Sequence, residues 1–446
     1  MYIITVTAAC GPSVIRSSTH AFLVNTVQSL ISHYPLPPGD RQKLETILNE
    51  LSTAKYTLLF GLSRTTPDTA FSASANSAND AVDALSISGL ETIVTLLIEI
   101  MNLATSNSIP DLGVNLILDQ SNAWRARWLS LVTGGAFRSN PAIQPRLLVA
   151  LGCLADTEVD DALLYQLVNA MRNSLDEQYI RDGNEMILNS LLFACTKMVG
   201  ARLKPEYSGP ESSYLYELFW LALAMLEIAD ANTYPLALVF VETCLKALSI
   251  SDDLERQHLP TYFLSHRKKL EPSVDNLDAL IGVNFNRSFS FSIAALLAKG
   301  LKWQSSRSVV KSITGVLFEL SSKQQRSKVT DGASGLETVK PTISFEVLPY
   351  LAILVPIVST SQDLAAYLTM AGLNGDDYRH LDVAAVWNKL FNDGSVEEML
   401  DNETSLLLLS LTAAILASCD REQELLLLYT FFAEAAPNTR STFPYV

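Results

Sequence analysis

The feature that most constrains the fold of this 446-residue chain is helical patterning along nearly its whole length. Apolar residues recur three and four positions apart in LETIVTLLIEIMNL, and the overlapping Ser88–Glu91 has the S-x-x-E pattern of a capping box. Ser395–Glu398 repeats that pattern before a Leu-rich segment, and Asn140-Pro141 places an N-cap residue before a first-turn proline. Alternating apolar and polar runs, which would predict strands, are scarce. The sequence therefore predicts an all-α fold.

The predicted helices form pairs that are separated by short turns containing Pro, Gly, Asn or Asp. The candidate pairs are 13–33 with 41–60, 141–155 with 158–175, 183–200 with 212–229, 235–249 onward, 288–301 with 305–322, and 395–418 with 421–436. Helix-turn-helix units of about 40–47 residues are the period of HEAT and armadillo arrays. One amphipathic pair cannot bury its apolar face alone, whereas stacked pairs bury a continuous core. We therefore predict a HEAT/armadillo-like α-solenoid of stacked helix pairs.

Two polar segments interrupt this pattern. We predict a helical-repeat array over residues 1–322 with a flexible loop near 64–84, a disordered linker at 323–341, and C-terminal helices continuing the array over 342–446. The two segments contain too few apolar residues to offset the entropy lost on ordering. In the second, Ser and Thr lie beside Lys and Arg, so a regulatory phosphosite is an alternative to a passive linker.

The high apolar content raises the question of a membrane. Apolar residues make up 48% of the chain, charged residues 18%, and the mean hydropathy is +0.21. The longest apolar runs are 215–229, 347–358 and 405–418, and all fall short of about 18–20 uninterrupted apolar residues. We therefore expect buried core helices and no transmembrane segment. The N-terminus lacks a positively charged region, so it does not resemble a signal peptide.

Charge and cysteine content exclude other classes. The formal net charge of −15 repels a polyanion, so nucleic acid is not expected as a major ligand. The basic cluster His266–Lys269 is short and is interpreted as a solvated helix end. The five cysteines are scattered without metal-site spacing, which is typical of reduced thiols in the cytoplasm.

The sequence yields no catalytic, cofactor-binding or metal-binding residue, and no cofactor is expected. His20 follows Ser and Thr residues but has no identifiable orienting acid, so we interpret it as a capping or packing histidine. His258 and His266 lie eight positions apart and lack the spacing of a helical zinc site. Gly134-Gly135 lacks the Lys and the preceding strand of a phosphate loop. Acidic clusters are expected to favour helix starts at 156, 160–161, 252–253 and 376–377.

One motif resembles a catalytic signature. Phe137–Ile143 is similar to the FLRFxxPA signature of Ras GTPase-activating domains, in which an Arg helps to hold the catalytic arginine loop. The match is partial, because the Leu and the second Phe are missing and the Arg-to-Pro spacing is shorter. No arginine-finger loop is recognised upstream. We therefore expect no catalysis by Arg138, and an enzyme acting alone through it is the least favoured hypothesis.

A wider resemblance covers almost the whole chain. GVNFNRSFSFSIAALLAKGLKW (282–303) resembles the C-terminal helical region of neurofibromin-type Ras regulators. Other segments resemble that region in the same order: 13–30, 56–64, 90–101, 140–155, 215–238 and 425–435. The chain resembles only this arm and not the GTPase-activating or Sec14–PH parts. It also begins within a family helix, so we expect a fragment, a truncated gene model or a split gene.

The resemblance implies a function without catalysis. Neurofibromin-type proteins are cytoplasmic and switch off Ras, and their helical arms scaffold the molecule and take part in self-association. The expected partners are therefore a second copy and the rest of a Ras-regulator polypeptide. The alternative is a stand-alone cytoplasmic α-solenoid adaptor that binds other proteins.

Within the quoted phrase, the residues themselves predict packing. Phe285, Phe289 and Phe291 are expected in the core, and Asn284 and Asn286 are expected to satisfy backbone groups at a helix start. A partner-binding role for these residues is the alternative. Trp220, in an almost wholly apolar helix, is also expected to be buried.

Overall fold

The computed structural model describes most of the first three quarters of the chain. The described residues are 1–34, 36–62, 86–105, 115–138, 142–155, 159–175, 185–204, 212–228, 231–249, 259–267, 277–278, 284–332 and 348–357. All regular secondary structure within these ranges is helical, which confirms the all-α prediction for them. The chain divides into two compact units, Met1–Gly209 and Pro210–Val446, a boundary that the sequence did not suggest.

The first unit is built around one short buried helix. Its helices are α1 (Tyr2–Thr7), α2 (Ser13–His33), α3 (Pro38–Leu51), α4 (Ala54–Leu59), α5 (Ile87–Thr105), α6 (Asn115–Ala136), α7 (Gln144–Leu154), α8 (Asp161–Ser174) and α9 (Glu185–Ala201). Helix α7 packs against α1, α5, α6 and α9, and every residue from Pro145 to Gly152 is buried. A helix that is apolar all round is stable only inside a core, so α7 organises this unit.

Helices α7 and α9 approach each other closely at Gly152. A Cβ atom at this position would lie 2.9 Å from Cα of Ala194 on α9, which is a backbone atom. A Cβ atom added at Gly134 on α6 would have no heavy atom within 4 Å, so Gly134 is a matched control. Only a residue without a side chain lets α7 and α9 pack this closely.

We expect Gly152→Ala to lower the free energy of unfolding by about 1–3 kcal/mol, because it overpacks a contact that cannot relax without moving the backbone. Gly134→Ala should instead raise it by up to about 1 kcal/mol, because Ala favours the helix and meets no neighbour. Urea unfolding followed by far-UV circular dichroism measures both changes. Equal effects of the two substitutions would contradict the close approach.

Helix α5 is the one described helix that is long and apolar enough to cross a membrane; the sequence predicted it as a helix but did not include it among the longest apolar runs. Several of its side chains are buried completely, including Ile93, Val94, Leu97 and Ile100. It packs against α7, and Glu91 on its flank pairs with Lys197 of α9 at 2.7 Å. Such burial within the unit is typical of a core helix.

The second unit is centred on another buried helix. Its helices are α10 (Tyr214–Ile228), α11 (Tyr234–Ser249), α12 (Leu259–Arg267), α13 (Phe285–Ala298), a 3-10 turn (Lys299–Lys302), α14 (Gln304–Gly332) and α15 (Leu348–Ile357). Helix α10 packs against α11, α12 and α13, and α14 packs against α11 and α15. Helices that follow one another in the chain therefore pack together, as in the predicted stacking. The HEAT or armadillo type of the repeat stays a prediction.

Basic side chains link neighbouring helices by reaching the carbonyl groups at helix ends. The donors and acceptors are Arg125 to Leu154 O at 2.9 Å, Arg146 to Ala8 O at 2.6 Å, Lys299 to Glu227 O at 3.4 Å, and Arg307 to Leu301 O at 3.1 Å. The last carbonyls of a helix lack intrahelical partners and carry the negative end of the dipole. A cation from an adjacent helix supplies the missing hydrogen bond and a favourable opposite charge. These bonds therefore also fix the relative positions of the helices that they join.

Two helices differ from their predicted bounds. The predicted helix 41–60 is divided into α3 and α4 at Ser52-Thr53, where Thr53 has extended backbone dihedral angles. Helix α14 continues to Gly332, into the segment 323–341 that the sequence predicted as a linker. Its Lys, Gln and Arg residues are good helix formers even where no apolar face is present. The rest of that segment, the 64–84 loop and the predicted pair 395–436 lie outside the described residues.

Candidate functional site

Arg138 is the residue with the nearest resemblance to a catalytic motif, and the structure places it at the surface. It follows the end of α6 at Ala136, and its side chain is exposed. Residues 139–141, which complete the motif, lie outside the described residues. Among the described residues, no hydrogen bond or ion pair holds Arg138 in one orientation. Its catalytic interpretation remains a hypothesis.

His20 has a structural role, as predicted for a capping or packing histidine. Its Nε2 lies 3.0 Å from the carbonyl oxygen of Leu51 at the end of α3. Its ring packs edge-on against Phe60 with the ring centroids 5.1 Å apart. Both contacts join α2 to the α3–α4 segment. His20 is therefore engaged in packing and is not a free base beside the neighbouring Ser and Thr residues.

The acidic and glycine motifs that are described also have structural roles. Asp160 is the N-cap of α8, and its Oδ1 accepts a hydrogen bond of 2.8 Å from the Leu163 amide, which confirms the predicted helix start. Gly135 lies inside α6, where a Cβ would clash with Cδ1 of Leu147. The clusters at 156, 252–253 and 376–377, and His258, lie outside the described residues. Within the described ranges, no three His, Cys, Asp or Glu side chains are close enough to share a metal ion.

The four described cysteines form no disulfide bond with one another. Cys195 and Cys244 are buried, and Cys10 and Cys153 are half-buried. Burial raises the pKa of the Cys195 thiol, because the charged thiolate is poorly solvated in the core. These cysteines therefore behave as small packing residues, as the sequence indicated. Cys419 lies outside the described residues.

The phrase 282–303 begins with a cap and continues into the core. Asn284 is the N-cap of α13, and its Oδ1 accepts a 2.8 Å hydrogen bond from the Asn286 amide. Phe285, Phe289 and Phe291 are each exposed by 4% or less. The predicted packing role of the three phenylalanines and the predicted capping role of Asn284 are therefore confirmed.

These phenylalanines belong to an aromatic cluster around Trp220, which we call the Trp220 cluster (Trp220, Phe263, Phe285 and Phe289). The indole Nε1 of Trp220 donates a 2.9 Å hydrogen bond to the Phe263 carbonyl. The Trp220 ring is edge-on to Phe285 with the centroids 5.1 Å apart, and Phe263 stacks on Phe289 at 5.8 Å. The cluster joins α10, α12 and α13 within the described part of the second unit.

Arg267 lies against this cluster and corrects one prediction. The sequence predicted a solvated helix end at His266–Lys269, but Arg267 is only 7% exposed. Its Nη2 and Nη1 donate to the two carboxylate oxygens of Asp278 at 2.8 and 3.2 Å. The guanidinium also lies over Trp220 and Phe285, 5.1 and 5.0 Å from their ring centroids. A planar guanidinium can stack on aromatic rings while it pairs with a carboxylate, so the prediction is wrong for this residue.

Two further buried arginines lie in the first unit, beside the turn Ala8–Gly11 that connects α1 to α2. We call this turn with Arg16 and Arg146 the arginine turn. Arg146 donates to Ala8 O, lies beside the Cys10 thiol, and has a pKa that burial lowers. Arg16 packs its Cδ 3.3 Å from where a Cβ on Gly61 would lie, and Ala9 Cβ is 3.6 Å from the same point. Sequence reasoning missed this group, because Arg146 lies 138 positions from Ala8.

The described structure defines an all-α protein in which charged and aromatic groups are used mainly to join helices. No protein-family model matches the chain. Comparison with known proteins identifies two relatives in Saccharomyces cerevisiae. The chain is 22% identical to inhibitory regulator protein IRA2 over 306 residues, which are 68% of this chain and 9% of IRA2. It is 23% identical to inhibitory regulator protein IRA1 over 299 residues, 65% of this chain and 9% of IRA1.

The chain is thus a distant relative of two yeast inhibitory regulators. The aligned part covers only 9% of the length of each relative. The relationship supports the resemblance to a family of regulators that the sequence suggested.

Proposed function

We propose that this chain is a non-catalytic scaffold arm of a cytoplasmic negative regulator of Ras signalling. The observation that carries the proposal is the distant relationship to the two inhibitory regulators over about two thirds of the chain. The arm holds the catalytic and membrane-binding parts of the regulator in position and supports its self-association.

The described structure supports a scaffold in a second way. Polar and charged side chains of the described residues, such as His20, Asp160 and Arg267, bind helix ends or pack between helices. Contacts of this kind join neighbouring helices in the described ranges, and a positioning arm requires helices that are fixed relative to one another.

The first test is the rate of GTP hydrolysis by Ras in the presence of the purified chain. We expect no acceleration, and no difference between the wild type and Arg138→Ala. A GTPase-activating arginine contributes about 10³–10⁵-fold to this rate, so even weak catalysis would be measurable. A purified GTPase-activating domain serves as the positive control. An acceleration that Arg138→Ala removes would overturn the non-catalytic assignment.

The scaffold role has its own tests. Sedimentation velocity over a range of chain concentrations should show a dimer or larger species, and a monomer throughout would contradict self-association.

Long-read sequencing of the native transcript should show a GTPase-activating domain upstream in the same reading frame. A transcript whose translation begins at Met1 would instead favour the stand-alone adaptor.

A further inference from the structure

The arginine turn concentrates positive charge that the described protein does not neutralise. Arg16 and Arg146 are each only 8% exposed. Arg146 has a single backbone carbonyl and the Cys10 thiol as its partners. Nε of Arg16 is buried without a hydrogen-bond partner. No carboxylate among the described residues pairs with either guanidinium, in contrast to Arg267, which binds both oxygens of Asp278.

Unpaired buried charge of this kind is unfavourable. A guanidinium has five N–H donors and remains protonated, so it loses hydration on burial without the option of becoming neutral. Buried cations in proteins are normally paired with an anion. Two of them beside one turn indicate a bound anion.

The start of α2 adds to the positive potential. Its N-cap is Pro12, no side chain caps the helix, and no acidic residue lies in its first turn. The amides of Ile15 and Arg16 donate to the Pro12 carbonyl at 2.9 and 3.2 Å, so the helix start contributes mainly through the positive end of its dipole, which attracts anions such as phosphate. Arg16 lies in the same turn of this 21-residue helix, so its buried and unpartnered Nε adds an independent cationic group.

The turn is also open to solvent. Cys10 and Gly11 are half-buried, and Val14 is 69% exposed. The Arg146 guanidinium is held by Ala8 O next to this turn, and the aliphatic part of Arg16 packs against Gly61 beside Ala9. This exposed side of the turn is the side from which we expect an anion to approach.

We propose that the arginine turn is a binding site for a phosphate group. Two guanidiniums and a helix N-terminus match the two negative charges of a phosphomonoester or of inorganic phosphate, whereas one carboxylate would leave positive charge uncompensated. The phosphate comes either from a small molecule or from a phosphorylated side chain. This site is independent of the proposed scaffold function.

The test uses the Cys10 thiol as a local probe in the full chain. Inorganic phosphate is titrated at constant ionic strength with chloride, and alkylation of each cysteine is followed by peptide mass spectrometry. At a phosphate concentration ten times the Kd, the unbound fraction and hence the alkylation rate of Cys10 should fall about tenfold. Cys153, which is also half-buried, should be unaffected.

Substitutions then identify the binding groups. Arg16→Gln should weaken phosphate binding by about tenfold or more, because it removes a charged donor. Arg127→Gln on the exposed face of α6 is the matched control and should bind like the wild type. Circular dichroism checks that each variant is folded. If Arg16→Gln does not fold, the proposal is tested in the wild type alone: phosphate should slow the alkylation of Cys10 and leave that of Cys153 unchanged.

The outcomes are distinct. Protection by inorganic phosphate alone assigns the site to small-molecule phosphate, and tighter binding of O-phosphoserine assigns it to a phosphorylated side chain. No protection of Cys10 by either probe would overturn the proposal. So would equal protection in the wild type and a folded Arg16→Gln variant, since that would reflect a general salt effect.

Discussion

Trp220→Ala is expected to lower the free energy of unfolding by about 3–5 kcal/mol, the largest effect of any substitution considered for this chain. Trp220 is completely buried, donates its indole N–H to the Phe263 carbonyl, and contacts aromatic rings on α13. The alanine variant would leave a cavity at the centre of the second unit and a buried carbonyl without its donor. It would also remove one of the two rings that face the Arg267 guanidinium.

Urea unfolding followed by far-UV circular dichroism measures this loss without relying on tryptophan fluorescence. Trp124→Ala is the matched control, because Trp124 is 46% exposed on α6. Exposed positions change stability by about 0.5 kcal/mol or less. A loss below about 1 kcal/mol for Trp220→Ala would contradict its position in the core.

Replacing Arg267 by methionine should have the second largest effect, a loss of about 2–4 kcal/mol. Methionine keeps much of the aliphatic volume, so the loss reports mainly on the guanidinium. Without it the Asp278 carboxylate has lost its bidentate partner, and Trp220 and Phe285 no longer face a cation. Asp278 is 24% exposed on its side chain, so partial hydration keeps the loss below that of a fully enclosed pair.

A double-mutant cycle separates the two contributions. Asp278→Ala in the Arg267→Met background should recover part of the lost stability, because no unpaired carboxylate then remains. Lys43→Met, which breaks the exposed Lys43–Asp40 pair at 3.8 Å, is the control and should cost about 1 kcal/mol or less. Equal losses of unfolding free energy from Arg267→Met and Lys43→Met would show that the buried pair stabilises the protein no more than the exposed one.

The helices that carry strong apolar periodicity were predictable from sequence. The predicted segments 13–33, 183–200 and 235–249 correspond closely to α2, α9 and α11. The core position of Phe285 and Phe289 and the capping role of Asn284 were also predictable, because both depend on neighbours within one or two turns. Helix ends without such signals were not, as the break between α3 and α4 shows.

The sequence by itself determined the all-α class, the buried faces of the periodic helices and the local caps, because these depend on residues close together in the chain. Tertiary structure alone decided which charged side chains are buried. Arg267 is buried because Trp220, Asp278 and Phe285 meet around it, and Arg146 reaches Ala8 across 138 positions. A basic residue has the same local pattern whether it faces water or a carboxylate from elsewhere in the chain. Its environment is therefore fixed only when distant helices pack together.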